Sequence, residues 1–222
     1  VRWARTPGHD AYWYYRDGFF DGLVPAPGVR TLEVGCGEGR VARDLAERGH
    51  HVVAVDTAAT LVRAARDADA LGTYAVADGA ALPFADASFD VVVAYNSLQV
   101  VADMRRTVHE VGRVLTRGGK LCLCIAHPVT DLGRFTGDPA ATTFTIRPHY
   151  FDTVRVEDHV ERDGLEMTFR GWTYSLEHYS EALEQAALCI DILREPRPVG
   201  APPVYARWQQ LPLFLFLRAV KQ

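Results

Sequence analysis

Residues 31–40 read TLEVGCGEGR, and three glycines, Gly35, Gly37 and Gly39, fall within five positions of that stretch. A glycine turn directly after a short apolar run lets a bound ligand come close to the backbone, because no Cβ stands in the way. Farther along, other short apolar runs each end in a polar residue: Asp56 after HVVAV, Asp78 after TYAVA, Asn96 after DVVVAY and His127 after KLCLCIA. One such ending is ordinary turn chemistry. The glycine turn and these four endings along one chain point to a binding edge, since an open parallel α/β sheet takes its ligands beyond the carboxyl ends of its strands.

The acids at this edge each have two readings. Glu33 lies inside an apolar run, where an unpaired carboxylate is expensive. It either bonds nearby backbone or helps to hold a cationic ligand group. Asp56 is placed to accept from ribose hydroxyls, or else it caps the helix that follows. Asp78 accepts from an adenine amino group, or simply forms a turn. The spacing Gly35-x-Gly37-x-Gly39 puts Arg40 where a dinucleotide fingerprint needs its third glycine, which argues against NAD. Phosphate fits poorly beside Glu33 and Glu38, with no lysine after the turn.

The elements that must position these residues follow from periodicity. Strands are expected at 30–35, 51–56, 73–78, 90–96 and 120–126, and helices at 38–48, 58–68 and 103–116, with Gly49 and Gly118-Gly119 as stops. Apolar strands without clean alternation, separated by helices, indicate a parallel sheet covered on both faces. Between 127 and 175 the rhythm breaks, and 151–161 with 165–172 reads as a hairpin about Arg162-Asp163-Gly164. A helix (176–188), a strand (189–196) and a final strand (211–221) close the chain. The expected organisation is one domain, 1–222. Residues 1–29 form an N-terminal lid, 30–126 the binding core, 127–175 a cap insertion, and 176–222 the terminal helix and strands.

Bulk properties agree with that picture. The chain has 222 residues, 48% hydrophobic and 23% charged, with a net charge of −4. That length suits one large α/β domain, and the acidic balance lacks the basic stripe of a nucleic-acid binder. Cys122 and Cys124 alternate in an apolar run and read as buried thiols in a reducing compartment. Cys-x-x-Cys and His spacing for a metal are absent. With no apolar run long enough for a membrane span and no secretory segment at the N-terminus, a cytoplasmic protein is expected.

Taken together, these residues resemble a known family. GxGxG preceded by an acid, an acid ending the second strand, Asp-Gly ending the third, the stretch ADGAALPFADASFDVVVAYNSL (77–98) and Glu110-x-x-Arg113-Val114-Leu115 before Gly118-Gly119 resemble the class I S-adenosylmethionine (SAM)-dependent methyltransferases. The resemblance is greatest to the small-molecule branch that includes the ubiquinone and menaquinone enzymes. It implies a Rossmann-like, seven-stranded, mostly parallel sheet whose last strand is antiparallel, with helices on both faces and a small cap after strand five. It implies SAM as cofactor and a small-molecule acceptor as partner, with no nucleic acid and no membrane. Carried over by position, Glu33, Gly35, Cys36 and Gly37 would pass the methionine part, and Asp56 and Thr57 would meet ribose and adenine. Asp78 and Gly79 would hold the adenine edge, Asn96 and Ser97 would flank the sulfonium, and Tyr14 and Arg16 would cover the cofactor.

Methyl transfer from a sulfonium needs donor and acceptor held in line, and a base only where the acceptor arrives protonated. His127, between cofactor edge and cap, is the expected base; His149, Tyr150 and His178 are weaker candidates. Leu98-Gln99-Val100 stands where many relatives carry histidines, which removes one familiar base. Tyr12, His149, Tyr150 and Trp172 are expected at the acceptor. Phe135, Phe144, Phe151 and Tyr174 would furnish an aromatic pocket, and Arg134, Arg147 and Arg170 an anion site. Tyr95-Asn96-Ser97-Leu98 lacks the Pro-Pro motif of nucleic-acid amino-methyltransferases. Oxygen is the expected site of methylation, natural-product or secondary-metabolite type. The rivals are an RNA or protein methyltransferase, a SAM-binding protein without transfer, and an NAD-dependent reductase.

Overall fold

Seven strands line up as one sheet, in the order Leu188–Arg194, Phe214–Lys221, Leu115–Ala126, Phe89–Tyr95, Thr31–Val34, Val52–Asp56 and Thr73–Val76, in a computed structural model that describes residues 1–6, 8–137, 143–146 and 150–222. The strands are β1 (Thr31–Val34), β2 (Val52–Asp56), β3 (Thr73–Val76), β4 (Phe89–Tyr95), β5 (Leu115–Ala126), β10 (Leu188–Arg194) and β11 (Phe214–Lys221). All are parallel except β11, which runs antiparallel to both β5 and β10. The helices are α1 (Arg2–Arg5), α2 (Tyr12–Leu23), α3 (Arg40–Glu47), α4 (Ala59–Ala68), α5 (Met104–Val114), α6 (Pro128–Asp131) and α7 (Leu176–Gln185), with a 3-10 turn at Pro203–Gln209. None of the described helices is long and apolar enough to cross a membrane.

Strand alternation sends side chains to two separate cores. Leu32, Val34, Val92, Ala94, Leu121 and Leu123 pack on one face against Val108 and Val111 of α5 and Leu183 of α7. Val91, Val93, Tyr95, Cys122, Cys124 and Phe216 pack on the other against Phe19 and Leu23 of α2 and Leu45 of α3. Both strand thiols are therefore fully buried on one side, and burial pushes Cys122 up to about 12.

Local chemistry sets where the elements begin and end. Gly39 sits at φ 82° and caps α3, so that helix starts at Arg40 and not at Glu38. The Asp103 carboxylate accepts from the Arg106 N–H and starts α5. The third strand stops at Val76, two residues short of Asp78, and the fifth begins at Leu115, earlier than its apolar run. Beyond β5 come the hairpin of β6 (Gly133–Thr136) with β7 (Thr143–Ile146) and that of β8 (Arg155–Arg162) with β9 (Leu165–Trp172). Asp163 and Gly164, at φ 51° and 72°, make the tight turn of the second.

Candidate active site

The glycine turn leaves β1 through three left-handed residues, Gly35, Gly37 and Gly39, at φ 77°, 54° and 82°. At Gly35 a side chain is impossible for a second reason: its Cβ would lie 2.4 Å from the Ser97 Cβ. Ser97 itself is buried, and its hydroxyl donates to the Val34 carbonyl at 2.7 Å, tying the loop after β4 to the end of β1. Gly37 is different, because no protein atom lies within 4 Å of where its Cβ would be. The turn is thus packed from below and open above, the shape a ligand needs to pass over backbone.

Asp56 fixes that opening. Its carboxylate accepts the Gly37 N–H and the Ala58 N–H, each at 2.8 Å, so one residue anchors the turn and starts the approach to α4. Each carboxylate oxygen carries two acceptor sites, leaving one on each for a diol. Thr57 is exposed beside it. Asp78 is exposed and accepts the Ala80 N–H at 2.9 Å through one oxygen, with Gly79 buried against Thr107 and Val34. Asn96 adopts φ 52° where β4 turns away, its N–H donating to the Cys124 carbonyl at 2.7 Å. Cys36 is buried, and burial pushes its thiol well above the usual range.

Behind the turn lies a buried polar group that the strand pattern alone left open. Glu33 is 1% exposed, takes the Ala42 N–H, and leaves Oε2 without a partner. Burial raises it to about 8, against the pull of the Arg40 guanidinium. Arg40 lies 4.3 Å over the Tyr12 ring and pairs with Asp10 at 2.9 Å. Neither Arg40 nor Asp10 was expected in the site. The one available signal was a cation directly after the glycine run.

Several expected residues sit elsewhere. Tyr12, expected at the acceptor, is 1% exposed, stacks edge-on against Tyr95 and hydrogen-bonds Asp44; it belongs to the core under α2. Arg16, expected over the cofactor, pairs instead with Asp44 of α3 at 3.2 Å. Tyr14 packs against the Tyr205 ring. His127 is the clearest correction. It is 6% exposed, its Nε2 donates to Glu195 at 2.9 Å, and its Nδ1 accepts the Val129 N–H at 3.3 Å as the cap of α6. Burial holds it below the ordinary histidine value despite Glu195. Neither nitrogen is left to take a substrate proton.

His149 and Arg147 lie outside the described residues. His178 is spent in the capping box of α7 with Ser175. The Tyr150 hydroxyl accepts the Leu176 N–H at 3.1 Å, and the half-buried Trp172 donates its backbone N–H to the Gln99 carbonyl at 2.7 Å, bringing β9 onto the loop after β4. Phe135 and Phe144 stack on each other, and Arg170 pairs with Glu157 across the hairpin. Sequence reasoning missed Asp131, at the end of α6 one short turn beyond β5. Among the described residues its carboxyl has no hydrogen-bond or ion-pair partner, and burial followed by Asp158 pushes it up to about 6.

The sheet order and the antiparallel last strand are those of the SAM-dependent methyltransferase fold. The open turn over Gly37, the free acceptor sites of Asp56 and the unpartnered oxygen of Glu33 fit SAM. Residues 32–123 match the family model described as a methyltransferase domain. A demethylmenaquinone methyltransferase from Corynebacterium urealyticum is 38% identical over 116 residues, covering 52% of this chain and 49% of that protein. A malonyl-[acyl-carrier protein] O-methyltransferase from Salmonella typhimurium is 36% identical over 89 residues, covering 40% of this chain and 36% of that protein. A SAM-dependent methyltransferase from Mesorhizobium loti shares the fold with a TM-score of 0.76 at 24% identity, over 96% of this chain and 98% of that one. The chain spans about half the length of the curated relatives it matches.

Proposed function

We propose that the chain transfers a methyl group from SAM to a small-molecule acceptor, at oxygen, in natural-product or secondary metabolism. The observation that carries this reading is the Gly37–Asp56 pair, an open backbone turn pinned by a carboxylate that keeps acceptor sites for a ribose diol. The demethylmenaquinone methyltransferase among the relatives supports a small acceptor, and the malonyl-[acyl-carrier protein] O-methyltransferase supports oxygen. SAM, when bound, supplies an electrophilic methyl group. Asp56 would orient its ribose, Asp78 and Gly79 its adenine edge, and Glu33 its ammonium. Asn96 and the Gly35 turn would border the reacting end, while Tyr150 and Trp172 belong to the cap that excludes water from it. With His127 engaged by Glu195 and Val129, the Asp131 carboxylate of α6 would be the group that receives an acceptor proton.

A second reading is a SAM-binding protein without transfer, favoured by the same engagement of His127. One assay separates the two: incubation with SAM and a panel of hydroquinones, phenols and carboxylic acids, followed by mass spectrometry. Methylated product at oxygen, with an equivalent of S-adenosylhomocysteine, supports the first. SAM bound but never consumed across the panel supports the second.

A further inference from the structure

Arg40 and Asp10 are not explained by packing alone. Arg40 is the first residue of α3, held 4.3 Å above the Tyr12 ring, and its side chain is 20% exposed. Its Nη1 lies 2.9 Å from Asp10, which is 16% exposed and is its single acidic partner among the described residues. A guanidinium offers five N–H donors, so this pairing leaves most of them unspent. Asp10 also accepts the Tyr12 N–H at 2.9 Å through its other oxygen. Beside this pair lies Glu33, with its unpartnered Oε2, and Arg40 is the largest opposing charge acting on it. A cation short of acceptors beside a buried carboxyl with one bare oxygen matches the two ends of an amino-acid zwitterion.

Asp10 does not belong to the sheet. It lies on the N-terminal segment, which reaches across the turn: Arg5 pairs with Glu38 of the glycine loop at 2.8 Å, and Arg162 of the β8–β9 hairpin donates to the Gly8 and His9 carbonyls. We propose that Arg40 is the receptor for the carboxylate of the cofactor's amino-acid end, and that Asp10 holds its place until the cofactor arrives. Asp10 would then keep the Tyr12 N–H and give up the guanidinium. This rests on the methyltransferase reading and adds to it a direct competition between the N-terminal segment and the cofactor.

The test is calorimetric titration of S-adenosylhomocysteine and methylthioadenosine, the second having the nucleoside and sulfur but no amino-acid end. Arg40→Gln should weaken S-adenosylhomocysteine about 10- to 100-fold, as expected for a lost charged hydrogen bond, and leave methylthioadenosine unchanged. Asp10→Asn keeps the bond to Tyr12 but removes the competing charge. It should tighten S-adenosylhomocysteine about 3- to 10-fold with no effect on methylthioadenosine. Equal loss of both ligands in Arg40→Gln, or weaker S-adenosylhomocysteine binding in Asp10→Asn, overturns the proposal while sparing the methyltransferase reading. If the unmodified protein binds neither ligand, both fall. Should Arg40→Gln fail to fold, Asp10→Asn alone decides.

Discussion

Replacing Glu33 by glutamine should make the protein more stable and bind its cofactor less well, and the size of the first effect follows from burial. In the folded chain burial raises this carboxyl from its ordinary 4.5 to about 8. Between those two values the folded state keeps a proton that the unfolded chain has released, so stability falls as pH rises through that window. It is fully present below about 4.5 and gone above about 8. Each pH unit within the window is worth at most about 1.4 kcal/mol. By pH 7 the loss would be roughly 2–4 kcal/mol after relaxation, or roughly 5–15 °C in melting temperature for a chain of this size. Glutamine does not titrate. The difference in stability between Glu33→Gln and the unmodified protein should therefore widen in favour of glutamine from about pH 5 to about pH 8. Thermal or urea unfolding at both pH values measures it directly. Saturating S-adenosylhomocysteine should reverse the ranking, because its ammonium restores a partner to the ionised carboxylate. A gap that stays constant with pH would mean that Glu33 is charged and satisfied in the folded state, and the argument from its bare Oε2 would fail.

Other residues carry further expectations. Asp56→Ala should weaken SAM binding by about 1–3 kcal/mol through lost charged hydrogen bonds; unchanged affinity in a folded variant would refute the ribose assignment. His127→Ala should cost about 1–2 kcal/mol of stability, from the lost α6 cap and the Glu195 bond, while SAM affinity stays put in calorimetry. A turnover defect larger than the stability loss explains would restore a chemical role to it. Asp131, pushed up to about 6 by burial and Asp158, should make turnover on a protonated acceptor rise as pH climbs through about 6. Asp158 of β8 acts on that carboxyl electrostatically, and Asp131 in turn raises Tyr179 of α7. Asp131→Asn should flatten the profile, and a profile that keeps its shape in the variant would remove Asp131 from proton transfer.

The sheet and its glycine turn were readable because their signals are local. A parallel strand buried on both faces is a near-continuous apolar run, so Val52–Asp56 and Phe89–Tyr95 stood out to within a residue. Gly35, Gly37 and Gly39 announced a left-handed turn by type alone. The Asp163-Gly164 hairpin was likewise written into two adjacent residues. What stayed hidden depends on partners far away in sequence. His127 looked like a base because Glu195, which occupies it, lies 68 positions on. The aromatic run Tyr12-Trp13-Tyr14-Tyr15 has no polar stripe to mark its buried face, so Tyr12 read as a ligand contact when it fills the core. Arg40 registered only as the residue that spoiled a dinucleotide fingerprint, since its partner Asp10 precedes it by a helix and a strand.

The most direct test of the site is a crystal structure of the chain with S-adenosylhomocysteine. The ribose hydroxyls should lie within hydrogen-bond distance of Asp56, the adenine against Asp78 and Gly79, and the amino-acid end over Gly37 between Glu33 and Arg40. A nucleoside found away from the Gly35–Gly39 turn, or no bound ligand under saturating conditions, would contradict the account at its centre.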